Sequence, residues 1–383
     1  MSQKRKDPKG RILKKGETVR DNKSYVFRYQ RNGKRHAIYA PTLEELRIKE
    51  SGIERDLRDG IDISGGNITV SELVNRYINL KRSLKQNSQR AYRTVVKHIE
   101  DDPFGQRPIK TVKASDAKTF YIQLHDEGMK RNTISIYHCV LRPAFEMAVD
   151  DDLIRKNPFK FNISDILPDD KCKRQALTKE QQHRYLQFVE ELGGNYCDDI
   201  VILLYTGLRV SELYGLTKSD IDFDNRCIQI TKQLCRTAER PYYVEKPKTN
   251  SGVRYIPMND KVYMALQRVV ASRPQAKVER IIDGYNGFLF LDKNEMPKVA
   301  MNLEGYMRNV QRKYIAIYGD TLPTVTPHVL RHTFATNCQQ AGMDVKSLQY
   351  LMGHSNVSVT LDIYTHSDYC SAQRAFDRIA SSL

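Results

Sequence analysis

Thr326-Pro-His-Val-Leu-Arg-His-Thr-Phe-Ala335 begins the part of the chain that decides its fold, and two short motifs follow it, Leu351-Met-Gly-His-Ser355 and Asp362-Ile-Tyr-Thr-His366. Pro327 is typical of a first helical turn, so a helix is predicted to start here. On that helix His328 and Arg331 are three residues apart and share a face. His354 and Tyr364 complete a set of four polar side chains within 37 residues.

These four residues offer one permanent cation that fits phosphate oxygens, two imidazoles and one phenol. That combination suits attack of a phenolate on a phosphodiester held by cations. Each residue alone is a weak signal, because the chain has 22 Tyr and a His-x-x-Arg pair is usually a surface or capping pair. The indication therefore comes from order and spacing together.

Two upstream residues extend the pattern: Arg209 in Tyr205-Thr-Gly-Leu-Arg-Val-Ser-Glu-Leu213, and Lys248 in Lys246-Pro-Lys-Thr-Asn-Ser-Gly-Val-Arg-Tyr-Ile-Pro-Met258. With them the chain resembles the tyrosine recombinases, the phage-integrase family, which carry Arg, Lys, His-x-x-Arg, His or Trp, and Tyr in this order. Three further stretches make it most similar to integrases of conjugative transposons: Lys4-Arg-Lys-Asp-Pro-Lys-Gly-Arg-Ile-Leu13, Arg155-Lys-Asn-Pro-Phe159 and Thr326-Pro-His328.

The resemblance implies catalytic roles for six residues: Arg209, Lys248, His328, Arg331, His354 and Tyr364. The two arginines would hold the scissile phosphate and His354 would donate to it, while Tyr364 attacks. Lys248 would protonate the departing 5′ oxygen. His328 either relays a proton from Tyr364 or only bonds to phosphate. The product would be a 3′-phosphotyrosyl link and a 5′-hydroxyl, so no ATP is needed.

Composition limits the class of protein. A chain of 383 residues predicts two or three domains, and the net charge of +16 predicts a polyanionic partner. No run of 18 apolar residues occurs, so no membrane span or membrane partner is predicted, and the basic N-terminus lacks the apolar core of a secretory signal. Seven scattered Cys without a C-x-x-C pair fit reduced thiols in a bacterial cytosol, where the protein would associate with the nucleoid. No cofactor or metal motif is present.

The first 35 residues carry 13 Lys or Arg against three acids. A disordered basic tail is one interpretation. The other is a basic sheet: Ser24–Gln30 and Arg35–Tyr39 are rich in β formers around the Asn32-Gly33 turn signal, and Arg11–Leu13 is a candidate third strand. A helix follows from Thr42. Such a sheet can enter a DNA major groove. The resemblance implies an arm-type DNA-binding domain over residues 1–64.

The remaining chain is predicted to be mainly helical. Four helices over 67–160 carry flanking Lys and Arg, which mark either solvated faces or, as the resemblance implies, a core-binding domain that clamps DNA. Residues 174–383 would form the catalytic domain, with Tyr242–Val244 and Val253–Pro257 as the two arms of a hairpin around Lys248. The overall class is α+β and multidomain. Val357 to Ile363 alternates like a strand, but the resemblance implies a helix, which we adopt.

Two other functions fit parts of this pattern. A non-catalytic DNA-binding regulator or architectural protein would also be basic, but it gives no reason for six active-site residues in order. A type IB topoisomerase shares the chemistry without an arm-binding domain.

The resemblance further implies double-stranded DNA with crossover and arm sites, a homotetramer on that DNA, and an excisionase or host DNA-bending protein as partner. An amphipathic segment at 367–383 is predicted to pack on its own domain or on a neighbour.

Overall fold

The computed structural model describes residues 5–20, 24–31, 34–58, 68–81, 86–170, 175–237, 239–247, 252–275, 278–319 and 322–364. The chain divides into two compact units, Met1–Cys172 and Lys173–Leu383. Lys248 and the 367–383 segment, both singled out from the sequence, lie outside the described residues, and so do residues 60–67, whose Gly-rich composition is typical of a linker. None of the described helices has the length and apolar character needed to cross a membrane.

The first unit begins with a three-stranded antiparallel sheet in the order β1-β2-β3, followed by one helix. Tyr25 and Phe27 lie on the sheet face that packs against Leu43 and Leu46 of that helix. The elements are β1 (Glu17–Val19), β2 (Tyr25–Arg31), β3 (Lys34–Ala40) and α1 (Leu43–Arg58). The basic N-terminal stretch is therefore a folded sheet over its described residues.

The predicted third strand at Arg11–Leu13 is wrong, because Glu17–Val19 takes that place. The cause is a local turn. The Asp7 carboxylate accepts hydrogen bonds from the backbone N–H groups of Lys9 and Arg11, at 3.0 and 2.7 Å. These bonds fold the segment back on itself, so Ile12 makes only an isolated bridge to Lys6.

The rest of the first unit is helical, as the sequence predicted. A capping box at Thr69 and Glu72 starts its first helix, and Leu73 and Tyr77 lie in a core with stacked Phe104 and Phe120, whose rings are 4.4 Å apart. The helices are α2 (Val70–Leu80), α3 (Gln86–Asp101), α4 (Ala114–Asp126) and α5 (Arg131–Asp150).

Over its described residues, the second unit packs helices around a main apolar core, with two small antiparallel sheets ordered β4-β5-β8 and β6-β7. Its helices are α6 (Lys179–Leu192), α7 (Cys197–Thr206), α8 (Val210–Tyr214), α9 (Asp260–Ser272), α10 (Ala300–Tyr318), α11 (Pro327–Gln340), α12 (Val345–Met352) and α13 (Val357–Tyr364). Its strands are β4 (Ile221–Asp222), β5 (Cys227–Ile230), β6 (Gln233–Cys235), β7 (Tyr243–Glu245) and β8 (Arg254–Pro257). The α+β class is confirmed.

The single hairpin predicted around Lys248 is wrong. The strand at Tyr243–Glu245 pairs with β6, whereas Arg254–Pro257 pairs with β5, where Ile228 lies opposite Ile256. Both isoleucines are buried, so their burial in the unit's main core fixes the pairing of the second arm. The two arms therefore belong to different sheets.

Candidate active site

Helix α11 carries two of the predicted site residues. The Thr326 hydroxyl accepts a hydrogen bond from the backbone N–H of Val329 at 3.2 Å, which caps the helix start, and Pro327 occupies the first turn. This start places His328 on the exposed surface and Arg331 in the interior, with 6% of the arginine exposed. Arg331 Nη1 donates to the Gly207 carbonyl at 2.6 Å, and Nη2 donates to the carbonyl of Met352.

Arg209 stands where α7 ends and α8 begins. Gly207 ends α7 in the left-handed conformation, at φ 65°, and Arg209 precedes the first residue of α8. Its backbone N–H donates to Glu212 Oε2 at 2.9 Å, and its Nη1 donates to Oε1 at 2.7 Å. Glu212 is therefore the structural partner of Arg209. The guanidinium is held at the helix start, and 36% of the side chain stays exposed.

Gly207 is required by space as well as by backbone conformation. A Cβ atom there would lie 2.4 Å from Cδ1 of Phe334, a half-buried residue of α11. The close approach brings the Gly207 carbonyl to Arg331 while the chain turns towards Arg209. One glycine therefore brings the two arginines into the same region.

Arg254 contacts these candidate site residues, although the sequence analysis did not single it out. It is 1% exposed, and both Nη1 and Nη2 donate to the Glu212 carboxylate, at 3.2 and 2.8 Å. Its Nε donates to the Leu351 carbonyl at 2.7 Å, and Nη1 also reaches Gly252 O at 3.1 Å. One signal was present, because Arg254 shares the inward face of β8 with Ile256, and a buried cation requires an anion.

The three arginines meet at the C-terminal end of α12. Three consecutive carbonyls there, those of Leu351, Met352 and Gly353, each accept from a different guanidinium, those of Arg254, Arg331 and Arg209 respectively. The last turn of a helix carries partial negative charge, so it suits these cations. The arrangement fixes the guanidiniums against one another and beside His354, which follows Gly353.

The charges of this cluster do not cancel. Burial alone would raise the pKa of Glu212, but its hydrogen bonds with Arg254 and the nearby guanidiniums lower it to about 2, so it is ionised at neutral pH. Burial, and then the charge of Arg209, lowers the pKa of Arg331 to about 9, which leaves it protonated. Among the described residues of this cluster, three cations therefore face one anion. The excess positive charge suits a phosphate group.

His354 lies half-buried next to this cluster. Its Nδ1 is 2.9 Å from the Thr360 hydroxyl of α13. Burial, followed by the charges of the arginines, lowers the pKa of His354 to about 4, so the imidazole is neutral at pH 7. A neutral imidazole can still donate one hydrogen bond to a phosphate oxygen.

The structure brings Arg209, Arg331 and His354 together, with His328 on the same helix as Arg331. Tyr364 is the last residue of α13, and only its backbone is described. Lys248 lies outside the described residues. Within the described part of the chain, no group of three or more His, Cys, Asp or Glu side chains is placed to hold a metal ion.

The buried role of Arg254 gives a stability prediction. Arg254→Met should lower the free energy of unfolding of the second unit by about 3–5 kcal/mol, because Glu212 would keep a buried charge without its main partner. Arg184→Met is the matched control, since it removes an exposed pair with Glu180 and should cost only about 0.3–0.5 kcal/mol. Urea unfolding of both variants measures the difference. Equal losses would show that Arg254 is not a structural anchor.

Three family profiles match successive parts of the chain: DNA binding domain of tn916 integrase over residues 1–57, Phage integrase SAM-like domain over 69–166, and Phage integrase family over 175–370. The chain is 40% identical over 397 aligned residues to the "Transposase from transposon Tn916" of Enterococcus faecalis, covering 99% of this chain and 97% of that protein. A Tn1545 transposase of Streptococcus pneumoniae matches at the same identity and coverage.

Solved structures agree with these matches. A fragment of the Tn1549 transposon integrase in complex with circular intermediate DNA is 42% identical, with a TM-score of 0.76, covering 82% of this chain and 99% of that chain. A lambda integrase tetramer bound to a Holliday junction shares the fold at 19% identity and a TM-score of 0.58, over 91% of this chain and 98% of that chain. With similarity extending along almost its whole length, the chain belongs to the phage integrase family and is a site-specific tyrosine recombinase of the conjugative-transposon type.

Proposed function

We propose that Arg209, Arg331 and His354 form the phosphate-binding part of an active site in which Tyr364 cuts one DNA strand. The observation that carries this proposal is the cluster of three arginines facing one carboxylate at the end of α12. Arg209 is the partly exposed member, so it can reach a phosphate from solvent. Helix α13, which ends at Tyr364, begins only a few residues after the end of α12, where these arginines meet.

The roles follow from the chemistry of phosphoryl transfer. Arg209 and Arg331 bind the non-bridging oxygens and stabilise the charge that builds in the transition state. Because their guanidiniums are already held by carbonyls, little reorganisation is needed when DNA binds. His354 donates to a phosphate oxygen as a neutral imidazole. His328, one turn before Arg331, either accepts the proton of Tyr364 or bonds only to phosphate.

The covalent step conserves the energy of the broken bond. The Tyr364 oxygen attacks phosphorus, the bond to the 5′ oxygen breaks, and Lys248 gives that oxygen a proton. The products are a 3′-phosphotyrosyl link and a 5′-hydroxyl. Attack by a 5′-hydroxyl from another duplex reverses the step, so strands are exchanged without ATP.

We assign the remaining chain to DNA binding, with an arm-type domain at 1–64, a core-binding domain at 67–160 and the catalytic domain at 174–383. The proposed arm-type domain has an exposed sheet face on the side opposite α1. Arg28 and Ala37 are paired on that face, as are Gln30 and Arg35, and all four are exposed. Arg20 lies over the Tyr39 ring at 5.4 Å. The mixture of cations and an aromatic ring suits a DNA groove.

Two rounds of strand exchange need four active sites, so we propose a homotetramer assembled on double-stranded DNA. The Tn1549 relative was solved with circular intermediate DNA and with transposon right end DNA, which supports DNA as the partner here. An excisionase or a host DNA-bending protein would set the direction of the reaction. We propose that this recombinase itself acts in the bacterial cytosol, at the nucleoid.

The proposed function can be tested without knowing the attachment sites. The chain is mixed with fragmented genomic DNA from a cell that carries the element, covalent complexes are trapped with detergent, and the DNA ends are sequenced. We expect one recurrent crossover site, and two duplexes carrying it should be joined. Relaxation of supercoils without joining would instead favour a type IB topoisomerase. Failure to form any covalent complex would favour a non-catalytic DNA-binding protein.

The exposed face of the N-terminal sheet gives a further prediction. Arg28→Gln combined with Arg35→Gln should lower the salt slope of arm-site binding by about 1.8, because each lost phosphate contact removes about 0.9. Arg55→Gln, an exposed arginine on the helix behind the sheet, is the control and should leave the slope unchanged. Binding titrations at several salt concentrations measure the slope. Equal slopes for the two variants would place the DNA on another face.

A further inference from the structure

The contact between Thr360 and His354 joins two different elements of the site. Thr360 is completely buried on α13, and its hydroxyl lies 2.9 Å from Nδ1 of His354, which follows the end of α12. Tyr364 comes one helical turn after Thr360 on the same helix. This hydrogen bond therefore connects the helix of the proposed nucleophile to the proposed phosphate site.

The direction of this hydrogen bond decides what the imidazole can do. A hydroxyl can donate or accept, whereas a neutral imidazole has one N–H donor and one acceptor nitrogen. If Nδ1 carried the proton, Nε2 could only accept a hydrogen bond. The lone pair of Nε2 would then face a lone pair of the phosphate oxygen, and no hydrogen bond could form between them. If Nδ1 accepts from Thr360, the proton is on Nε2 and can be donated.

The charged groups around His354 favour the neutral form in the free protein. These groups are Arg331 on α11, Arg209 and Glu212 at the start of α8, and Arg254 on β8. Burial lowers the pKa of His354 first, and the three cations outweigh the carboxylate in lowering it further. Because the neutral ring carries one N–H proton, the hydrogen bond made at Nδ1 decides which nitrogen carries that proton.

We propose that the Thr360 hydroxyl donates to Nδ1 of His354 and so holds the imidazole as the tautomer that carries its proton on Nε2, directed to the scissile phosphate. Thr360 is then a positioning residue that acts through His354. The inference rests on the proposed role of His354 as a phosphate donor. It also gives α13 a tether to the site that does not depend on Tyr364 itself.

The first test reads the tautomer directly in the wild-type chain. ¹⁵N-histidine labelling of the full chain, with His354→Gln used to assign the signal, reports which ring nitrogen carries the proton. We expect Nδ1 to give the shift of an unprotonated nitrogen and Nε2 that of a protonated one. The reverse pattern would overturn the proposal without requiring any Thr360 variant to fold.

The second test is a double-mutant cycle on cleavage of a duplex carrying the crossover site. Thr360→Val keeps the shape but not the hydroxyl, and it should slow cleavage roughly 10- to 100-fold, the range found when the partner that orients a working histidine at a metal site is removed. Thr360→Ser should restore most of the rate. In a His354→Ala background, Thr360→Val should change the rate less than about 2-fold, because the two residues act as one unit.

The outcomes separate this inference from the proposed function. If His354→Ala cleaves as fast as the wild type, the role of His354 in the proposed function is wrong. If His354→Ala is slow but Thr360→Val is fast, only the present inference fails. If Thr360→Val is equally harmful with and without His354, Thr360 acts through packing alone, and the proposal is overturned.

Discussion

Tyr364→Phe should abolish DNA cleavage and leave DNA binding unchanged. The substitution keeps the ring and removes the one oxygen that can form the phosphotyrosyl bond, so no covalent complex should be detectable. The phosphate would still be bound, because the groups proposed to hold it belong to α8, α11 and the end of α12. Gel-shift titration measures binding, and denaturing electrophoresis with labelled DNA measures the covalent complex.

Tyr350→Phe is the matched control for this experiment. Tyr350 is half-exposed on α12, close to the site, and its hydroxyl accepts a hydrogen bond from the backbone N–H of Tyr255 at 3.0 Å. Losing that hydroxyl should leave covalent-complex formation within a few-fold of the wild type. If Tyr350→Phe removed the covalent complex and Tyr364→Phe did not, the nucleophile would be misassigned.

Lys248→Ala should slow cleavage roughly 100- to 10,000-fold, the usual contribution of a general acid. The 5′ oxygen is a poor leaving group unless it is protonated as it departs. A thiolate leaves without this help, because the pKa of a thiol is near 8.5. In a substrate with sulfur at the bridging 5′ position, Lys248→Ala should therefore recover most of its cleavage rate.

Two other variants show whether this recovery is specific. Arg209→Ala should remain slow on the sulfur substrate, since its proposed role is to stabilise charge rather than to give a proton. Lys246→Ala, an exposed lysine two residues away, should behave like the wild type on both substrates. If Lys246→Ala is the variant rescued by sulfur, or if Arg209→Ala recovers as well, Lys248 is not the general acid.

Helix starts depend on local sequence signals, and the start predicted at Thr326-Pro327 is confirmed. Hydroxyl residues at Thr69, Thr178 and Thr326 each cap a helix in the structure, because a cap depends only on residues within one turn. The same locality explains the end of α7 at Gly207. These elements position Arg209, His328 and Arg331, so that part of the candidate site could be placed from the sequence.

Pairings between distant segments could not be predicted in this way. Arg254 contacts Glu212 and Leu351, which lie 42 and 97 residues away, and no local pattern indicates those partners. The two arms around Lys248 alternate as strands do, but alternation does not identify the strand that each will pair with. Both failures concern contacts that only the folded core determines.

Helix α13 shows how a short pattern can mislead. Val357 to Ile363 alternates between apolar and polar residues, which is typical of a strand. The Asn356 side chain, however, accepts a hydrogen bond from the backbone N–H of Ser358 at 3.0 Å, which favours a helix start. The family resemblance correctly predicted the helix, which places Thr360 one turn before Tyr364.

The most direct measurement is the chemical identity of the covalent protein–DNA link. The wild-type chain is trapped on a nicked duplex carrying the crossover site, digested with protease and nuclease, and analysed by mass spectrometry. We expect one modified peptide, with the nucleotide attached through its 3′ phosphate to Tyr364, and a released strand whose 5′-hydroxyl can be labelled without phosphatase treatment. A nucleotide on any other residue, or a 5′-phosphate link with a free 3′-hydroxyl, would contradict the account.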